Sequence, residues 1–249
     1  MADEIGRLRA LLAESRRAVV FTGAGVSTES GIPDFRSPGG LWSQYRPIEF
    51  DEFMASTEAR REYWRRKIET DKVLLAAQPN RGHRAIAKLI ESAKASSVIT
   101  QNIDGLHQAS GVPAAKVIEL HGNTTYATCL DCGERYELEP IKKTFVADGT
   151  LPECTECMGI IKPATIAFGQ PMPQAEMHRA QTETVSSDLF LAVGSSLVVY
   201  PAAGFPALAA ERGTRLVIVN REPTPLDGMA ELVIQGEIGA ILGQAVGIE

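Results

Sequence analysis

The stretch GAGVSTESGIPDFR, residues 23–36, has the residue types of a turn that binds phosphate groups. It directly follows the apolar run AVVFT, and Gly23 and Gly25 match the first part of the fingerprint of dinucleotide-binding folds. Thr28 stands where that fingerprint has its third glycine, and no acidic residue ends a clear second strand about twenty residues later. The turn therefore indicates either a nucleotide site or a tight connection after a strand.

The residues after this turn add an aromatic ring and two charges. The segment SGIPDFRSPGGLW is too rich in glycine and proline to continue a helix, so we expect a loop over the edge of a sheet. Phe35 stands in it between Asp34 and Arg36. Charges beside the nicotinamide of a dinucleotide suit cleavage at the ribose better than hydride transfer, which needs a flat and protected ring.

Polar side chains also stand directly after four later strands of the predicted fold. They are Gln101, Asn102, Asp104 and His107 after residues 96–100, His121 after 116–120, Gly194, Ser195 and Ser196 after 188–193, and Asn220 and Arg221 after 215–220. Parallel strands deliver their carboxyl ends to one edge of a sheet, where ligands bind. The pattern predicts one polar site at that edge, although Asp104 could instead be an acidic residue that begins a helix.

His121 is the candidate proton acceptor among the four histidines. It follows a buried strand and precedes Gly122, and an imidazole with a pKa near about 6.5 can accept a proton at neutral pH. The other histidines have ordinary structural interpretations. His83 falls in a helical pattern with a packing or surface role, His107 caps a short turn, and His178 lies on a polar helix face.

The four cysteines form two C-x-x-C pairs, Cys129 with Cys132 and Cys154 with Cys157. Two such hairpins bring four thiolates to one point, which suits tetrahedral Zn²⁺. Because four sulfurs complete the coordination shell and leave no position for water, the predicted zinc is structural. Free buried cysteines and a redox pair are the alternatives, and the pattern says little about function because zinc ribbons occur in many unrelated proteins.

The composition argues against two classes of partner. The chain has 249 residues and a formal net charge of −6, so it lacks the basic field that nucleic-acid binding requires. No apolar run approaches the ~20 residues of a membrane span, and the mixed-charge start MADEIGRLRALLAESRR has no apolar region of a secretory signal. We therefore expect no nucleic acid, no membrane association and a cytoplasmic location.

Apolar runs alternate with helical segments along the chain. The predicted buried strands are residues 18–22, 96–100, 116–120, 164–168, 188–193, 215–220 and 231–235. The helical patterns cover residues 3–17, 80–95, 174–186, 202–212 and 237–244. This alternation predicts a layered α/β fold with a parallel sheet. Residues 39–77 and 122–163 break the alternation, so both are interpreted as insertions into the sheet domain.

Together, these motifs resemble the sirtuin family, the NAD-dependent protein-lysine deacylases, in its short bacterial-type form. The matching segments are GAGVSTESGIPDFR, TQNIDGLH, ELHGN, the four cysteines, FGQPMP, GSSLVVYP and IVNREP, and the resemblance extends over residues 17–240. It implies a Rossmann-like NAD-binding domain of residues 1–38, 78–121 and 164–249. A smaller domain would combine the helical insert, 39–77, with the zinc-ribbon insert, 122–163.

The resemblance also implies the roles of individual residues. NAD and an acylated lysine would enter the cleft between the two domains from opposite sides. The cofactor-binding residues would be Gly23, Ala24, Gly25, Thr28, Asp34, Phe35, Arg36, Gln101, Asn102, Ile103, Asp104, Gly194, Ser195, Ser196, Asn220 and Ile238. The substrate protein would pair as an added strand with Phe168, Gly169 and Val198.

The implied reaction consumes NAD. The acyl oxygen of the lysine amide would attack the nicotinamide ribose, and nicotinamide would leave with Asn102 and Asp104 beside it. Phe35 would shield the cationic centre from water. His121 would act as general base on a ribose hydroxyl, so that the products are free lysine, nicotinamide and O-acyl-ADP-ribose.

The preferred acyl group is open at this level. Tyr63 and Arg66 share one face of a predicted helix, and sirtuins that remove succinyl or malonyl groups carry a Tyr-x-x-Arg in the matching insert. A solvated arginine-rich helix is the alternative, and Thr28 and Asp34 differ from that subgroup. We expect mainly deacetylation. Gln170 stands where many members have glutamate, which removes a negative charge near the peptide groove.

Other functions would use parts of the same site. Mono-ADP-ribosyl transfer needs the same NAD site with another acceptor, and a non-enzymatic sensor of NAD or ADP-ribose would need no base. The presence of His121, Asn102 and Asp104 argues against a sensor. A dehydrogenase would have a full G-x-G-x-x-G and an acidic ribose ligand, which the sequence lacks. The oligomeric state is open, with a monomer favoured.

Overall fold

A computed structural model describes residues 2–34 and 46–248. Its centre is a parallel six-stranded sheet in the order β3-β2-β1-β7-β8-β9. The strands of this sheet are β1 (Ala18–Thr22), β2 (Ala95–Thr100), β3 (Val117–Glu119), β7 (Leu189–Val193), β8 (Arg215–Asn220) and β9 (Leu232–Gln235). The predicted α/β fold with a parallel sheet is confirmed. The domain limits given above stay predictions.

The three remaining strands form a separate antiparallel sheet in the order β5-β4-β6. They are β4 (Gly122–Cys129), β5 (Arg135–Glu137) and β6 (Ile161–Thr165). Residues 164–168 were expected to form a buried strand of the main fold, and this prediction is wrong. The strand begins earlier and pairs with β4, where Cys129 faces Ile161, because the second cysteine hairpin returns the chain along β4.

Helices cover the main sheet and form most of the first insertion. They are α1 (Ala2–Glu14), α2 (Phe50–Ala55), α3 (Thr57–Leu74), α4 (Arg81–Glu91), α5 (Leu106–Ala109), α6 (Leu138–Asp148), α7 (Gln174–Val185), α8 (Gly204–Glu211) and α9 (Ile238–Val246). Five of them coincide with predicted helical patterns to within a few residues. None of the helices within residues 2–34 and 46–248 is long and apolar enough to cross a membrane.

The main sheet is buried on both faces, which explains its continuous apolar strands. In β1 every residue is buried. Ala18 and Val20 belong to the cluster under α1, α4 and α9, whereas Val19 and Phe21 belong to the cluster under α7 and α8. Because side chains alternate along a strand, a run such as AVVFT supplies both layers at once.

The small sheet and the helical insertion share one core. Trp64 of α3 is fully buried with Ala127, Leu138, Ile161 and two of the cysteines. A buried ion cluster adds a polar link, since Asp71 of α3 pairs with Lys67 one turn earlier and lies 2.7 Å from the ammonium of Lys142 on α6. The two insertions therefore pack against each other in the described residues, and their grouping as one domain stays a prediction.

The four cysteines meet at one end of the small sheet. Their sulfur atoms all lie within 4.8 Å of one another, and Cys129–Cys157 and Cys132–Cys154 are each separated by 3.5 Å. Sulfurs bound to one tetrahedral Zn²⁺ at about 2.3 Å would lie roughly 3.8 Å apart. The donor set and its spacing therefore fit a structural zinc ion, which would join the two hairpins.

Removal of zinc should destabilise the chain, because the ion would hold the four thiolates of the two hairpins together. We expect a strong chelator to release one zinc per chain and to lower the melting temperature by on the order of 10 °C. Differential scanning calorimetry with parallel metal analysis measures both quantities.

Added zinc should restore the melting temperature, and Cys129→Ser should reproduce the loss without chelator. A chain that gives up its zinc and keeps its melting temperature would contradict a structural role for the metal.

Candidate functional site

One cavity of about 750 Å³ opens where the strands of the main sheet end. Its lining includes residues that follow β1, β2, β3, β7, β8 and β9, which is the edge that the sequence predicted. The predicted residues that line it are Ala24, Gly25, Thr28, Asp34, Tyr63, Gln101, Asn102, Ile103, His121, Phe168, Gly169, Gly194, Ser195, Ser196, Val198, Asn220 and Ile238. A cavity of this size suits a cofactor together with part of a substrate.

Three glycines allow two backbone turns to touch at the floor of the cavity. The amide of Gly25 donates to the carbonyl of Gly194 at 2.8 Å. A Cβ atom on Gly25 would lie 2.8 Å from that oxygen, and one on Gly23 would lie 2.8 Å from the Cβ of Ser195. Gly194 itself has φ +61°, a conformation that favours glycine. The glycines of this turn are therefore required by the packing of the two turns.

His121 lies at the end of β3, half-buried in the cavity wall. Its Nδ1 lies 2.9 Å from the carbonyl oxygen of Gln101. A carbonyl can only accept, so Nδ1 carries the proton and Nε2 is left as a basic nitrogen. Burial lowers the pKa of His121, and the hydrogen bond to Gln101 opposes this in part. A neutral imidazole with a free Nε2 can accept a proton from a ligand.

Asn102 is held from behind by Ser27, a residue that sequence reasoning missed. The amide of Asn102 donates to Ser27 Oγ at 3.1 Å, and that hydroxyl donates to the carboxylate of Asp104 at 2.7 Å. Asp104 also accepts from the amide of Leu106 at the start of α5. Asp104 is not among the described residues that line the cavity, so its contact with a ligand stays a prediction.

Two buried histidines lie behind this group. The rings of His83 and His107 are 5.2 Å apart, and both side chains are almost completely buried. Burial lowers the pKa of His83 to about 4 and that of His107 to about 3, so both are neutral at pH 7. His83 packs rather than faces solvent. His107 bonds to Thr22 of β1 at 2.9 Å instead of capping a turn with its ring.

The end of the cavity near the small sheet carries exposed apolar side chains. Phe168 and Val198 both line the cavity and are 46% and 47% exposed. The amide of Phe50 donates to the carbonyl of Phe168 at 2.8 Å, which holds this segment against α2. Deeper in the cavity, Tyr63 bonds through its hydroxyl to Thr165 at 3.1 Å.

Arg66 differs in position from Tyr63. Its guanidinium bonds to Glu62 at 2.6 Å and to the carbonyl of Arg46 at 2.7 Å. Tyr63 lines the cavity, whereas Arg66 is absent from its described lining. The predicted pairing of Tyr63 and Arg66 around an acyl carboxylate therefore stays untested, and Arg66 has other partners in this structure.

The opposite end of the cavity lies between the turn after β1 and the helix α9. The hydroxyl of Thr28 donates to the carbonyl of Gly25 at 3.0 Å. Glu29, another residue that sequence reasoning missed, accepts from the amide of Gly239 at 2.7 Å at the start of α9. Asn220 donates to the carbonyl of Glu222 at 2.8 Å. Phe35 and Arg36 lie outside the described residues.

Sequence comparisons match this chain to the Sir2 family and to proteins named as deacetylases. The Sir2 family model matches residues 23–201. The chain is 57% identical over 243 residues to NAD-dependent protein deacetylase 1 of Bradyrhizobium diazoefficiens, covering 98% of this chain and 95% of that protein. It is 53% identical over 247 residues to an NAD-dependent protein deacetylase of Rhodopseudomonas palustris, covering 99% and 98%.

Solved structures agree with these sequences. A complex described as Sir2, p53 peptide and NAD⁺ superposes with a TM-score of 0.87 at 38% identity, covering 98% of this chain and 97% of that one. A structure of Sir2Tm bound to a propionylated peptide has the same TM-score and identity, with 98% and 99% covered. The sequence of this chain thus matches these relatives along almost its whole length, and its fold matches the solved structures. The chain belongs to the Sir2 family.

Proposed function

We propose that the chain is an NAD-dependent protein-lysine deacylase that acts mainly on acetyl groups. The observation that carries the proposal is the position of His121, whose free Nε2 shares one cavity with the glycine-lined turns after β1 and β7. The relatives named as NAD-dependent protein deacetylases support the same reaction. The products would be nicotinamide, O-acyl-ADP-ribose and free lysine.

The described residues fit an extended dinucleotide. Bare backbone at Gly25 and Gly194 lines the cavity, and a Cβ atom at either position would clash with the backbone of the other turn. Hydroxyls of Thr28, Ser195 and Ser196 stand nearby, and Asn220 and Ile238 line the far end. NAD would supply nicotinamide as a leaving group and a ribose hydroxyl as the acceptor of the acyl group.

His121 would act as the general base. The carbonyl of Gln101 holds its Nδ1 proton, so Nε2 is the basic nitrogen of a ring that lines the cavity. Partial burial keeps the imidazole neutral near pH 7 by lowering its pKa, which leaves it able to take a proton from a ribose hydroxyl. No described carboxylate bonds to the ring, so its basicity comes from this environment alone.

Asn102 would position the nicotinamide end. Its side chain is 7% exposed and donates to Ser27, which in turn is bonded to Asp104. This chain of hydrogen bonds fixes the amide of Asn102 and leaves its carbonyl oxygen as an acceptor for a ligand. Asp104 would then act on nicotinamide through Ser27 and Asn102, as well as directly if the ligand reaches it.

The acylated lysine would enter from the side of Phe168 and Val198. Phe168 and Gly169 form a turn after β6 in which Gly169 has φ +78°, and Val198 is exposed on the loop after β7. All three residues line the cavity, and the pairing of a peptide with them as an added strand stays a prediction. Structures of relatives with bound p53 and propionylated peptides support this partner class. A cytoplasmic location and a monomeric state remain predictions of the sequence.

The geometry favours a small acyl group. Tyr63 places an aromatic ring in the wall, and its hydroxyl is used by Thr165. Arg66 is engaged by Glu62 and by the backbone of Arg46. A desuccinylase would need this guanidinium to leave those partners for an acyl carboxylate.

Zinc-loaded protein should release nicotinamide and acetyl-ADP-ribose in equal amounts from NAD and an acetyl-lysine peptide. We expect a matched succinyl-lysine peptide to react at least about tenfold more slowly, because Arg66 is held elsewhere. Mass spectrometry of both products, with each peptide in parallel, measures the two rates.

An unmodified peptide is the control and should release no nicotinamide. Nicotinamide release without an acyl peptide would point to ADP-ribosyl transfer or NAD hydrolysis, and a faster succinyl reaction would restore the role of Arg66.

Replacement of the base should remove most of the activity. We expect His121→Ala to slow acyl-ADP-ribose formation by ~10²–10⁴, the range for loss of a general base. His178→Ala is a matched control, because His178 is exposed on α7 and outside the described cavity lining. A His121→Ala protein with rates near those of the control would remove His121 from the mechanism.

The pH dependence should report the lowered pKa of His121. Below its pKa the imidazole is protonated and cannot accept a proton, so the rate of acyl-ADP-ribose formation should fall on the acid side. Burial moves that fall to below pH 6.5, the ordinary value for histidine. A pH–rate profile whose acid midpoint lies above pH 7 would contradict the proposed environment of the ring.

A further inference from the structure

Lys162 is a buried lysine beside the part of the cavity wall that Tyr63 and Thr165 form. This part is called the substrate end below. It is the second residue of β6 and is only 1% exposed. Its ammonium is 5.0 Å from the centre of the Tyr63 ring and 5.9 Å from that of Phe53. The centres of these two rings are 5.1 Å apart and the rings pack edge to face, so the amine lies near two aromatic side chains.

No ion pair offsets this charge within residues 2–34 and 46–248. Lys67, a buried lysine of the helical insertion, instead pairs with Asp71, which Lys142 also contacts. Lys162 has only carbonyl and aromatic partners, and burial lowers its pKa to about 7. A buried amine without a carboxylate is costly compared with an apolar side chain of the same length. The contacts of the Lys162 ammonium must therefore account for a buried amine at this position.

The contacts of Lys162 lead to the cavity wall in two steps. Its ammonium donates to the carbonyl of Thr165, and at 3.3 Å to that of Pro163. Thr165 bonds through its hydroxyl to Tyr63, and both residues line the cavity. The next amide, that of Ile166, donates to the carbonyl of His121 at 2.8 Å.

We propose that Lys162 is a positioning residue for the acyl-lysine substrate, which holds the ring of Tyr63 and the carbonyl of Thr165 where the substrate end of the cavity needs them. The inference rests on the proposed deacylase function. It assigns Lys162 no contact with the substrate. Its effect passes through Tyr63 and through the segment 165–168, which begins at Thr165 and ends at the exposed Phe168.

An apolar residue could fill the same volume without this effect. Lys162→Met would keep most of the length of the side chain but remove the donor to Thr165 and the charge that faces the Tyr63 ring. Lys162→Arg would keep a cation and hydrogen-bond donors at the same place. The two variants therefore separate packing from positioning.

Steady-state kinetics of the full zinc-loaded chain test the proposal. For Lys162→Met we expect the KM for an acetyl-lysine peptide to rise about tenfold, the size expected for loss of a desolvated cation–aromatic contact or hydrogen bond. The KM for NAD should stay within about twofold, because the described NAD-facing residues have no contact with Lys162. Lys162→Arg should return the peptide KM to within about threefold of the original value.

Two further variants cover the case in which Lys162→Met folds poorly. Tyr63→Phe removes only the hydroxyl that bonds to Thr165, and it should also raise the peptide KM without changing the KM for NAD. Lys67→Met is the matched structural control, because it removes a buried lysine of the helical insertion that is outside the described cavity lining. It should lower the melting temperature and leave both KM values unchanged.

A rise in both KM values, or a lower melting temperature with unchanged KM values, would overturn the inference and leave Lys162 a purely structural residue. Fluorescence anisotropy of a labelled acetyl-lysine peptide separates this result from failure of the proposed function. If the unsubstituted chain binds the peptide without turnover, weaker binding by Lys162→Met would still support the inference. If the unsubstituted chain neither binds nor deacylates the peptide, the proposed function and the inference both fail.

Discussion

The contact between the backbones of Gly25 and Gly194 is the constraint on which the site depends. The amide of one donates to the carbonyl of the other at 2.8 Å, and a Cβ atom on Gly194 would lie 2.7 Å from the carbonyl carbon of Gly25. These turns end β1 and β7, the neighbouring strands at which the strand order changes direction. Ligands bind at such a switch point because the connections leave in opposite directions and open a crevice. Side chains at either glycine would force the two turns apart.

Gln101 connects this floor to the catalytic side of the cavity. Its carbonyl accepts from His121 at 2.9 Å, and its side-chain oxygen accepts from Ser195 at 2.7 Å. One residue at the end of β2 therefore orients the candidate base on β3 and a hydroxyl on the turn after β7. The parallel pairing of β2 with β3 brings Gln101 close to His121. Thr100 lies opposite Glu119, and each strand ends at that residue.

The sequence predicted the residues at strand ends better than those behind them. His121, Gln101 and Ser195 follow apolar runs directly, so their meeting needed only the assumption of a parallel sheet. Ser27 and His83 could not be found this way, because their roles depend on how the turn after β1 packs against α4. Residues 164–168 were misjudged for a related reason. An apolar run alone does not show which of two sheets a strand joins, and the pairing with β4 decides it.

The backbone of the small sheet connects the cysteine cluster to the candidate base, His121. β4 begins at Gly122, directly after His121, and ends at Cys129, so one strand spans from the candidate base to the candidate metal. β6 returns beside it from Ile161 to Thr165, and the amide of Ile166 closes the pair on the carbonyl of His121. Because both strands end at the cavity, an ion that joins the two cysteine hairpins would also hold the register of β4 and β6. A site far from the reacting atoms can thus control the position of the imidazole without touching a ligand.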